Sequence, residues 1–317
     1  MIITITMNPS IDLSYTIEHF QLGKTNRFVN PVQSVGGKGI NAGRTAALSG
    51  NQVVLTGFLG GDQGELVYRH LVKEKLFKID MLETSGKTRN AISIMHDNDT
   101  HTEIIEEGPQ ISAEEIDTLL RKIELICRKE QVDLICISGS VNSKNQQLYL
   151  EMLNYIRKHI SSTMPVFMDV SGQQLLTLLA NENHKPSFIK PNIPELAELL
   201  EIDIVTKEEA LSQLDATLFE GIDYILVSCG SEGGICKFEN HYYDIKIPKI
   251  PIRNATGSGD ASVGGFIHGV VNHFPIEETL RYSMACGMSN AQHGEVGIIN
   301  QNKVKEFCQQ IQVTKLT

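Results

Sequence analysis

Apolar residues along the chain recur in short, nearly continuous runs, with longer amphipathic stretches between them. Six runs rich in β-branched residues are predicted as strands: residues 2–7, 53–58, 134–138, 166–170, 188–190 and 224–228. Runs without alternation are typical of parallel strands that are covered on both faces. Helical spacing is found at residues 40–49, 64–75, 113–130, 147–159, 193–200, 207–219, 260–271, 276–292 and 302–311. We therefore expect an α/β fold, with a doubly wound, mostly parallel sheet flanked by helices, in a single domain over residues 1–317.

Two polar, extended segments, at about residues 11–35 and 87–108, interrupt this alternation. The second contains a predicted β-hairpin with its turn at residues 97–99. This turn does not fit a calcium-binding loop, because Thr102 stands at the sixth position, where such loops need glycine. We expect the two segments to form a small β-sheet subdomain that lies over a site as a lid.

Composition narrows the class of protein. The 317 residues carry 28 Lys and Arg against 38 Asp and Glu, and the net charge of −10 argues against a nucleic-acid-binding face. No apolar run approaches the roughly 18 residues of a membrane span, and the first residues read as a strand rather than a signal peptide. The six cysteines form no CxxC pair, which favours free thiols and a cytoplasmic protein.

A glycine-rich stretch, Gly257-Ser258-Gly259-Asp260, stands at the start of a predicted helix. Glycine lets the backbone approach a ligand closely, and the free N–H groups at a helix start favour an anion such as phosphate. The stretch fits neither GxxxxGK[ST] nor GxGxxG. The alternative interpretation is structural, with Asp260 capping the helix and the glycines shaping a turn.

A second glycine-rich helix start is GGKGIN at residues 36–41. Here the backbone could contact a ligand, with Lys38 or Asn41 reaching its polar groups. The alternative is a packed turn that leaves Lys38 in solvent. Two such helix starts in one α/β chain favour a site for two ligands more strongly than either start would by itself.

The stretch KPNIPE at residues 190–195 follows a predicted strand. Asn192 and Glu195 are three residues apart and could face one site. Oxygen ligands of this kind suit Mg²⁺, directly or through water. The alternative is a helix-capping pattern, which the same spacing also fits.

Weaker candidates lie at other strand ends. Residues 228–233, SCGSEG, end a strand in a glycine-rich turn that suits a nucleotide, or simply a hairpin, because residues 234–238 read as a returning strand. Asp12, Arg89 and Ser138 lie at strand ends or in the predicted lid. An isolated charge at such a position is usually only a surface residue.

Taken together and in this order, these stretches resemble the ribokinase/PfkB family of carbohydrate kinases over essentially the whole chain. GGKGIN is similar to the first family signature, and NATGSGD at residues 254–260 is similar to the second. KPNxxE and SxGxxG are similar to the motifs between them. The opening Asn254-Ala255 departs from the usual Asp-Thr of the second signature but leaves Asp260 in place.

Three further stretches resemble the branch of the family that phosphorylates sugar phosphates: residues 5–15, 88–90 and 102–109. The resemblance implies tagatose 6-phosphate as the substrate, with fructose 1-phosphate as the alternative. A kinase of an unphosphorylated sugar or nucleoside fits less well, because it gives no reason for two cations, Lys38 and Arg89. A sugar-phosphate sensor without activity fits less well with the intact glycine turn and its acid.

The resemblance also implies roles at the reaction centre. Asp260 is the expected general base for the hydroxyl that attacks the γ-phosphate of ATP. The N–H groups of Gly257, Ser258 and Gly259 are expected to form an anion hole. Mg²⁺ is expected near Asn192 and Glu195, most simply through water. The further residues expected around the nucleotide are Asn192, Ser228, Gly230, Gly233, Thr256, Gly257, Gly259 and Asn290.

On the acceptor side, the resemblance implies that Lys38 and Arg89 hold the phosphate of a phosphorylated ketohexose, with Ser138 beside it. Arg27 in the lid is expected to help, from the same chain or from a partner subunit. An exposed apolar face on the lid would favour a homodimer formed through it. The sugar hydroxyls are assigned to Asp12, Gly37 and Asn41.

Overall fold

The strands of the larger expected sheet are all present in the computed structural model, which describes residues 1–97 and 100–316, apart from the side chain of His101. For each of the six predicted strands, the first and last residues lie within one residue of the expected ones. In chain order the strands are β1 (Ile2–Thr6), β2 (Ser10–Thr16), β3 (Val32–Gly36), β4 (Val53–Leu59), β5 (Lys78–Ile79), β6 (Leu82–Glu83), β7 (Arg89–His96), β8 (Thr100–Ile105), β9 (Leu134–Ser138), β10 (Val166–Asp169), β11 (Phe188–Ile189), β12 (Tyr224–Ser228), β13 (Gly234–Phe238), β14 (His241–Lys246) and β15 (Gln312–Lys315).

Ten α-helices lie between and after these strands in the described part of the chain. They are α1 (Lys38–Leu48), α2 (Gly61–Glu74), α3 (Ala113–Lys129), α4 (Leu148–Tyr155), α5 (Gly172–Leu179), α6 (Ile193–Leu200), α7 (Lys207–Ser212), α8 (Ser258–Val271), α9 (Ile276–Ala291) and α10 (Gln301–Gln310). A π-helical turn, Ile156–Ile160, continues α4. Among the described residues, no helix combines the length and the apolar character needed to cross a bilayer.

Some elements differ from the sequence-based expectation. Helix α7 ends at Ser212, well before the predicted residue 219, and Thr217–Phe219 forms a separate 3-10 turn. Helix α5 and the strands β5, β6, β14 and β15 were not predicted. Strand β15 is mostly exposed and polar, so it carries no hydrophobic signal that a pattern could reveal.

The larger sheet has β1 near its middle. Its order is β15-β14-β13-β12-β11-β10-β9-β1-β4-β5, with β6 also pairing with β4. The pairs from β12 through β1 to β5 are parallel, and the pairs that join β12 to β15 are antiparallel. The carboxyl ends of the parallel strands therefore meet at one edge, where open α/β sheets usually bind ligands.

A separate four-stranded sheet has the order β3-β2-β7-β8. Its strands come from the two extended segments, as predicted, and β7 and β8 form the expected antiparallel hairpin. Strand β2 runs parallel to β7 and brings Ser10 opposite Arg89. Asn98 and Asp99 of the predicted turn lie outside the described residues.

The core fills both faces of the larger sheet. Alternate residues of β1 enter different clusters, with Ile3 and Ile5 on one face and Ile2 on the other. On the second face, the rings of Phe188 and Phe266 pack with centroids 4.6 Å apart. Helices α1, α8 and α9 cover this second face, so the two glycine-rich helix starts belong to neighbouring helices.

Candidate active site

Helix α8 begins at a glycine turn that leaves backbone N–H groups free. Gly257 has a φ of 76°, and a Cβ there would lie 2.3 Å from Val296 Cγ1, so a larger residue would be strained. The N–H of Ser258 donates to the carbonyl oxygen of Ala255 at 3.2 Å. Within the described residues, the N–H groups of Gly257 and Gly259 have no acceptor. These two N–H groups are the donors best suited to an anion at the helix start.

Asp260, in the first turn of α8, is held by a chain of hydrogen bonds from α1. Asn41 Nδ2 donates to Asp260 Oδ2 at 2.9 Å, and Arg44 Nη1 donates to Asn41 Oδ1 at 3.1 Å. The buried Arg44 is fixed in turn by a bidentate pair with Glu74 at 2.8 and 2.9 Å. Asn41 was expected to contact the sugar, and in the structure it orients the carboxylate. Arg44 and Glu74 were not predicted as site residues.

The environment of Asp260 makes it a stronger proton acceptor than an ordinary aspartate. Burial and the negative charge of Asp169 raise the pKa of Asp260 to about 6, against the lowering effects of Lys38, Asn41 and Lys190. A carboxylate with this pKa is still mostly ionised at neutral pH. Its protonation equilibrium lies close to the operating pH, which is the condition for effective general-base catalysis.

A second carboxylate, Asp169, lies buried at the end of β10. Ser138 Oγ donates to Asp169 Oδ2 at 2.9 Å. Lys190 Nζ lies 3.8 Å from one carboxylate oxygen and Lys38 Nζ lies 3.9 Å from the other. Burial alone would raise the pKa of Asp169, but the two ammonium groups hold it below its ordinary value. Asp169 was not predicted as a site residue, and Lys190 was noted only within a loop motif.

Both lysines lie close to the glycine turn and its acid. The negative charge of Asp169, opposed by burial and helped by Asp260, raises the pKa of Lys38 above its ordinary value. A Cβ on Gly259 would lie 3.1 Å from Lys190 Nζ, so this ammonium group packs against the backbone of the turn. The structure therefore brings two cations and two carboxylates together at the start of α8.

The small sheet contributes a further acid and a further cation. Ser10 Oγ donates to Asp12 Oδ1 at 2.6 Å, and Arg89 Nη1 donates to the carbonyl oxygen of Glu106 at 3.2 Å. Arg89 Nε is buried and has no hydrogen-bond partner within the described residues. Burial raises the pKa of Asp12, and burial also lowers the pKa of Arg89. An arginine with an unused buried N–H is well suited to bind an anion in a bidentate manner.

A cleft of about 580 Å³ opens beside the start of α8. This volume lies within the usual range for small-molecule and cofactor sites. Its apolar wall includes Ile247, Ile250, Met284 and Met288. Its lining also includes five of the predicted nucleotide contacts, namely Asn192, Ser228, Gly230, Gly233 and Gly259.

Asn192 and Glu195 form the helix cap that was the structural alternative for this motif. Asn192 Oδ1 accepts from the Glu195 N–H at 2.8 Å, and Glu195 Oε2 accepts from the Asn192 N–H at 2.9 Å. The cap leaves Glu195 Oε1 available. Mg²⁺ in kinase sites commonly keeps several waters and uses one or two carboxylates plus phosphate oxygens. This donor set therefore fits a magnesium ion that is held mainly by a nucleotide and by water.

The remaining predicted residues have other surroundings. Asn290 is buried, where its Nδ2 donates to the carbonyl oxygen of Thr256 at 2.9 Å and its Oδ1 accepts from the Gly297 N–H at 2.7 Å. Asn290 thus joins two loops and does not line the cleft. Gly37 caps α1 with a φ of 123°. Arg27 is exposed in the β2–β3 loop, and within the described residues no hydrogen bond or ion pair joins it to the site.

Comparison with known proteins identifies the family and supports the fold. A family model described as pfkB family carbohydrate kinase matches residues 3–303. A Thermotoga maritima protein described as "Possible 1-phosphofructokinase" has a similar structure, with a TM-score of 0.87, 25% sequence identity and 100% coverage of both chains. Phosphofructokinase-2 from Escherichia coli, solved with substrates and products, gives a TM-score of 0.85 at 20% identity, over 97% of this chain and 98% of the other.

Proposed function

We propose a phosphorylated ketohexose as the acceptor for this chain, which belongs to the pfkB family of carbohydrate kinases and is a phosphotransferase. The donor in the proposal is ATP. The first candidate acceptor is tagatose 6-phosphate, which would become tagatose 1,6-bisphosphate. The observation that carries the proposed phosphoryl transfer is the position of Asp260, a carboxylate of raised pKa, in the same helix turn as two free N–H groups.

In the proposed reaction, Asp260 removes the proton of the acceptor hydroxyl as its oxygen attacks the γ-phosphorus of ATP. The bond from the γ-phosphorus to the bridging oxygen breaks, ADP leaves, and the proton remains on the carboxyl group. The N–H groups of Gly257 and Gly259 face the charge that develops on the transferring phosphoryl. The ammonium group of Lys190 lies next to this turn and adds positive charge there.

A phosphate on the acceptor is supported by cations that ATP does not require. Arg89 lies in the small sheet with a buried, unpartnered Nε, and Lys38 lies at the first turn of α1 with a partly exposed side chain. A neutral sugar would leave both charges without a function. We assign the acceptor phosphate to these two residues. The sugar hydroxyls of the acceptor are assigned to Asp12, Gly37 and Asn41.

The nucleotide is assigned to the cleft beside α8, with its base against the apolar wall. Asn192, Ser228, Gly230 and Gly233 would contact the nucleotide at the polar lining of this cleft. Mg²⁺, held through Glu195 and water, would neutralise charge on the ATP phosphates. Thr256 and Asn290 would act indirectly, because their hydrogen bond keeps the loop before α8 in place.

Fructose 1-phosphate is the second candidate acceptor. It is supported by the similarity at 25% identity to the Thermotoga maritima protein described as "Possible 1-phosphofructokinase". The two candidates place the phosphate at opposite ends of the sugar. The spacing between the acceptor-phosphate cations and Asp260 would decide between them.

We also propose that the small sheet is a lid and that two copies of the chain pair through it in the cytoplasm. The sheet and its β2–β3 loop expose large apolar side chains, of which Leu22, Val29 and Ile104 are 87%, 90% and 53% exposed. Exposed apolar side chains on one element favour association when they lie together. Arg27, in the same loop, would then reach the site of the partner. Sedimentation should give a dimer for the wild type and a monomer for Ile104→Glu.

The proposed function is tested by ADP release with a panel of acceptors. The panel contains tagatose 6-phosphate, fructose 1-phosphate, fructose 6-phosphate, ribose and adenosine, with ATP and Mg²⁺ present throughout. We expect the highest kcat/KM with tagatose 6-phosphate. The highest value with fructose 1-phosphate would select the second candidate. Turnover confined to ribose or adenosine would reject a phosphorylated acceptor.

A further inference from the structure

We propose that Asp169 is a positioning residue of the phosphoryl-transfer site, and that its carboxylate holds the ammonium groups of Lys38 and Lys190 where both phosphates must bind. The proposal rests on the kinase function proposed above and deepens it. Asp169 itself is 2% exposed and cannot contact an acceptor directly in this structure. It would act only through the two lysines and through Asp260.

The contacts around Asp169 hold the lysines without using up their hydrogen-bond donors. The nitrogen–oxygen distances to Lys190 and Lys38 are 3.8 and 3.9 Å, about 1 Å longer than a charge-assisted hydrogen bond. The hydrogen bond from Ser138 Oγ, at 2.9 Å, fixes the carboxylate instead. Apart from these long contacts with Asp169, neither ammonium group has a hydrogen-bond partner within the described residues. Both therefore keep donors for an incoming anion.

A structural ion pair in the same protein looks different. Lys207 Nζ lies 2.6 Å from Asp244 Oδ1 and also donates to the carbonyl oxygens of Glu232 and Ile245 at 3.0 and 2.9 Å. All three of its N–H donors are used inside the protein. The contrast with Lys38 and Lys190 indicates that the Asp169 cluster is arranged for a ligand and not for stability alone.

The positions of the two ammonium groups suit the two reactants, with Lys190 on the side of the transferring phosphoryl group and Lys38 on the side of the acceptor. The side chain of Lys190 is 8% exposed and its Nζ packs against Gly259, beside the free N–H groups. The side chain of Lys38 is 37% exposed, so its ammonium group is accessible to an acceptor phosphate. Two cations this close would repel each other, and burial of Lys190 without a counter-ion would be costly. Asp169 offsets both effects.

Asp169 also acts on the base. Its negative charge is, after burial, the largest influence that raises the pKa of Asp260. Loss of this charge would lower that pKa, and the uncompensated lysines would lower it further. A change at Asp169 should therefore move the acidic limb of the pH–rate profile to lower pH, an effect that a merely structural residue would not produce.

The test compares Asp169→Asn with the wild type and with Asp80→Asn. The control removes one charge from another ion pair, because Asp80 Oδ1 lies 2.6 Å from Lys122 Nζ. We expect kcat to fall by about 10- to 100-fold in Asp169→Asn, a higher KM for the phosphosugar, and an acidic limb at lower pH. Asp80→Asn should stay within about twofold of the wild type. Equal kinetics in the two variants would overturn the proposal.

A double-mutant cycle with Lys38→Met separates positioning from general damage. If Asp169 acts through Lys38, Asp169→Asn raises the phosphosugar KM in the wild-type background and has no further effect on it in the Lys38→Met background. Additive effects on KM, with an unchanged acidic limb, would mean a structural role and would refute the proposal. If Asp169→Asn does not fold, the double variant is compared with Lys38→Met, and an equal phosphosugar KM supports the proposal while a higher one contradicts it.

The acceptor in these assays is whichever compound of the panel the wild type turns over fastest. A wrong assignment of the acceptor would therefore appear in the acceptor panel measured with the wild type, before any variant is compared. Failure of the positioning role would appear only in the comparison of variants, so the two failures are distinguishable.

Discussion

The pH dependence of turnover tests the proposed base. The pKa of Asp260 is raised to about 6, by burial and by the negative charge of Asp169. If its carboxylate must be ionised to accept a proton, kcat/KM should fall as the pH drops through 6, to about one tenth of its plateau at about pH 5. An aspartate with an ordinary pKa, near 3.9, would leave the activity almost flat between about pH 5 and 8.

Asn41→Leu perturbs this equilibrium and nearly keeps the side-chain volume. It removes the N–H that donates to Asp260 Oδ2 at 2.9 Å and that lowers the pKa of this carboxyl group. A hydrogen bond to a charged acceptor contributes about 1.5–3 kcal/mol, and one pKa unit corresponds to about 1.4 kcal/mol. Since Asp260 is partly exposed, we take the lower figure and expect the acidic limb to move up by about one pH unit.

The assay measures kcat/KM for the best acceptor between about pH 5 and 8 at constant ionic strength. A sugar phosphate also loses a proton near pH 6, and this would give a similar limb in the wild type. A limb that arises from the substrate would stay at the same pH in Asn41→Leu. A shift of the limb in this variant therefore identifies Asp260 as the titrating group. Asn51→Leu is the matched control, because Asn51 Nδ2 donates to the carbonyl oxygen of Ala46 and not to the acid. A limb at the same pH in all three proteins would refute the reasoning.

Three further substitutions test separate parts of the site. Asp260→Asn should lower kcat by at least about 100-fold while calorimetry still detects ATP and phosphosugar binding, and unchanged turnover would remove it as the base. Arg89→Ala should raise the KM for the phosphosugar far more than the KM for ATP, and an equal rise would mean that Arg89 lies elsewhere in the complex. Gly264→Ala should lower the unfolding free energy by about 1–3 kcal/mol, because a Cβ there would lie 2.4 Å from the Ala42 carbonyl oxygen. An unchanged melting temperature would show that α1 and α8 can move apart without a loss of stability.

The larger sheet could be predicted because strands buried on both faces have continuous apolar sequences. Strand β1 is buried at every position, and its neighbours β4 and β9 are as well. Strand β15 could not be predicted, since it lies at the edge of the sheet and three of its four residues are exposed. Its pairing with β14 depends on the backbone, which leaves no pattern in the side chains.

The two glycine turns of the site were visible in the sequence, while the groups that orient them were not. Arg44 lies in an ordinary helical pattern, and its partner Glu74 is 30 residues away on another helix. Asp169 did leave a signal, because it is a carboxylate within a predicted buried strand. A buried charge is normally paired, and Lys38 and Lys190 are the partners. The motif of Asn192 and Glu195 left two interpretations open; the structure has the cap, and the metal role stays a prediction.

The base and its hydrogen-bond donor come from positions 219 residues apart, so the packing of α1 against α8 must set their distance. Asn41 and Asp260 each lie in the first turn of their helix or one residue beyond it. The axes of α1 and α8 can approach closely because Gly264 faces Ala42 and Thr45 with no side chain between them. Gly297 likewise leaves room for the backbone of Asn41. The geometry of the acid is therefore a property of helix packing. Gly264→Ala should for this reason lower kcat as well as stability, even though Gly264 lies a full turn away from Asp260, and a variant with reduced stability but wild-type kcat would contradict this coupling.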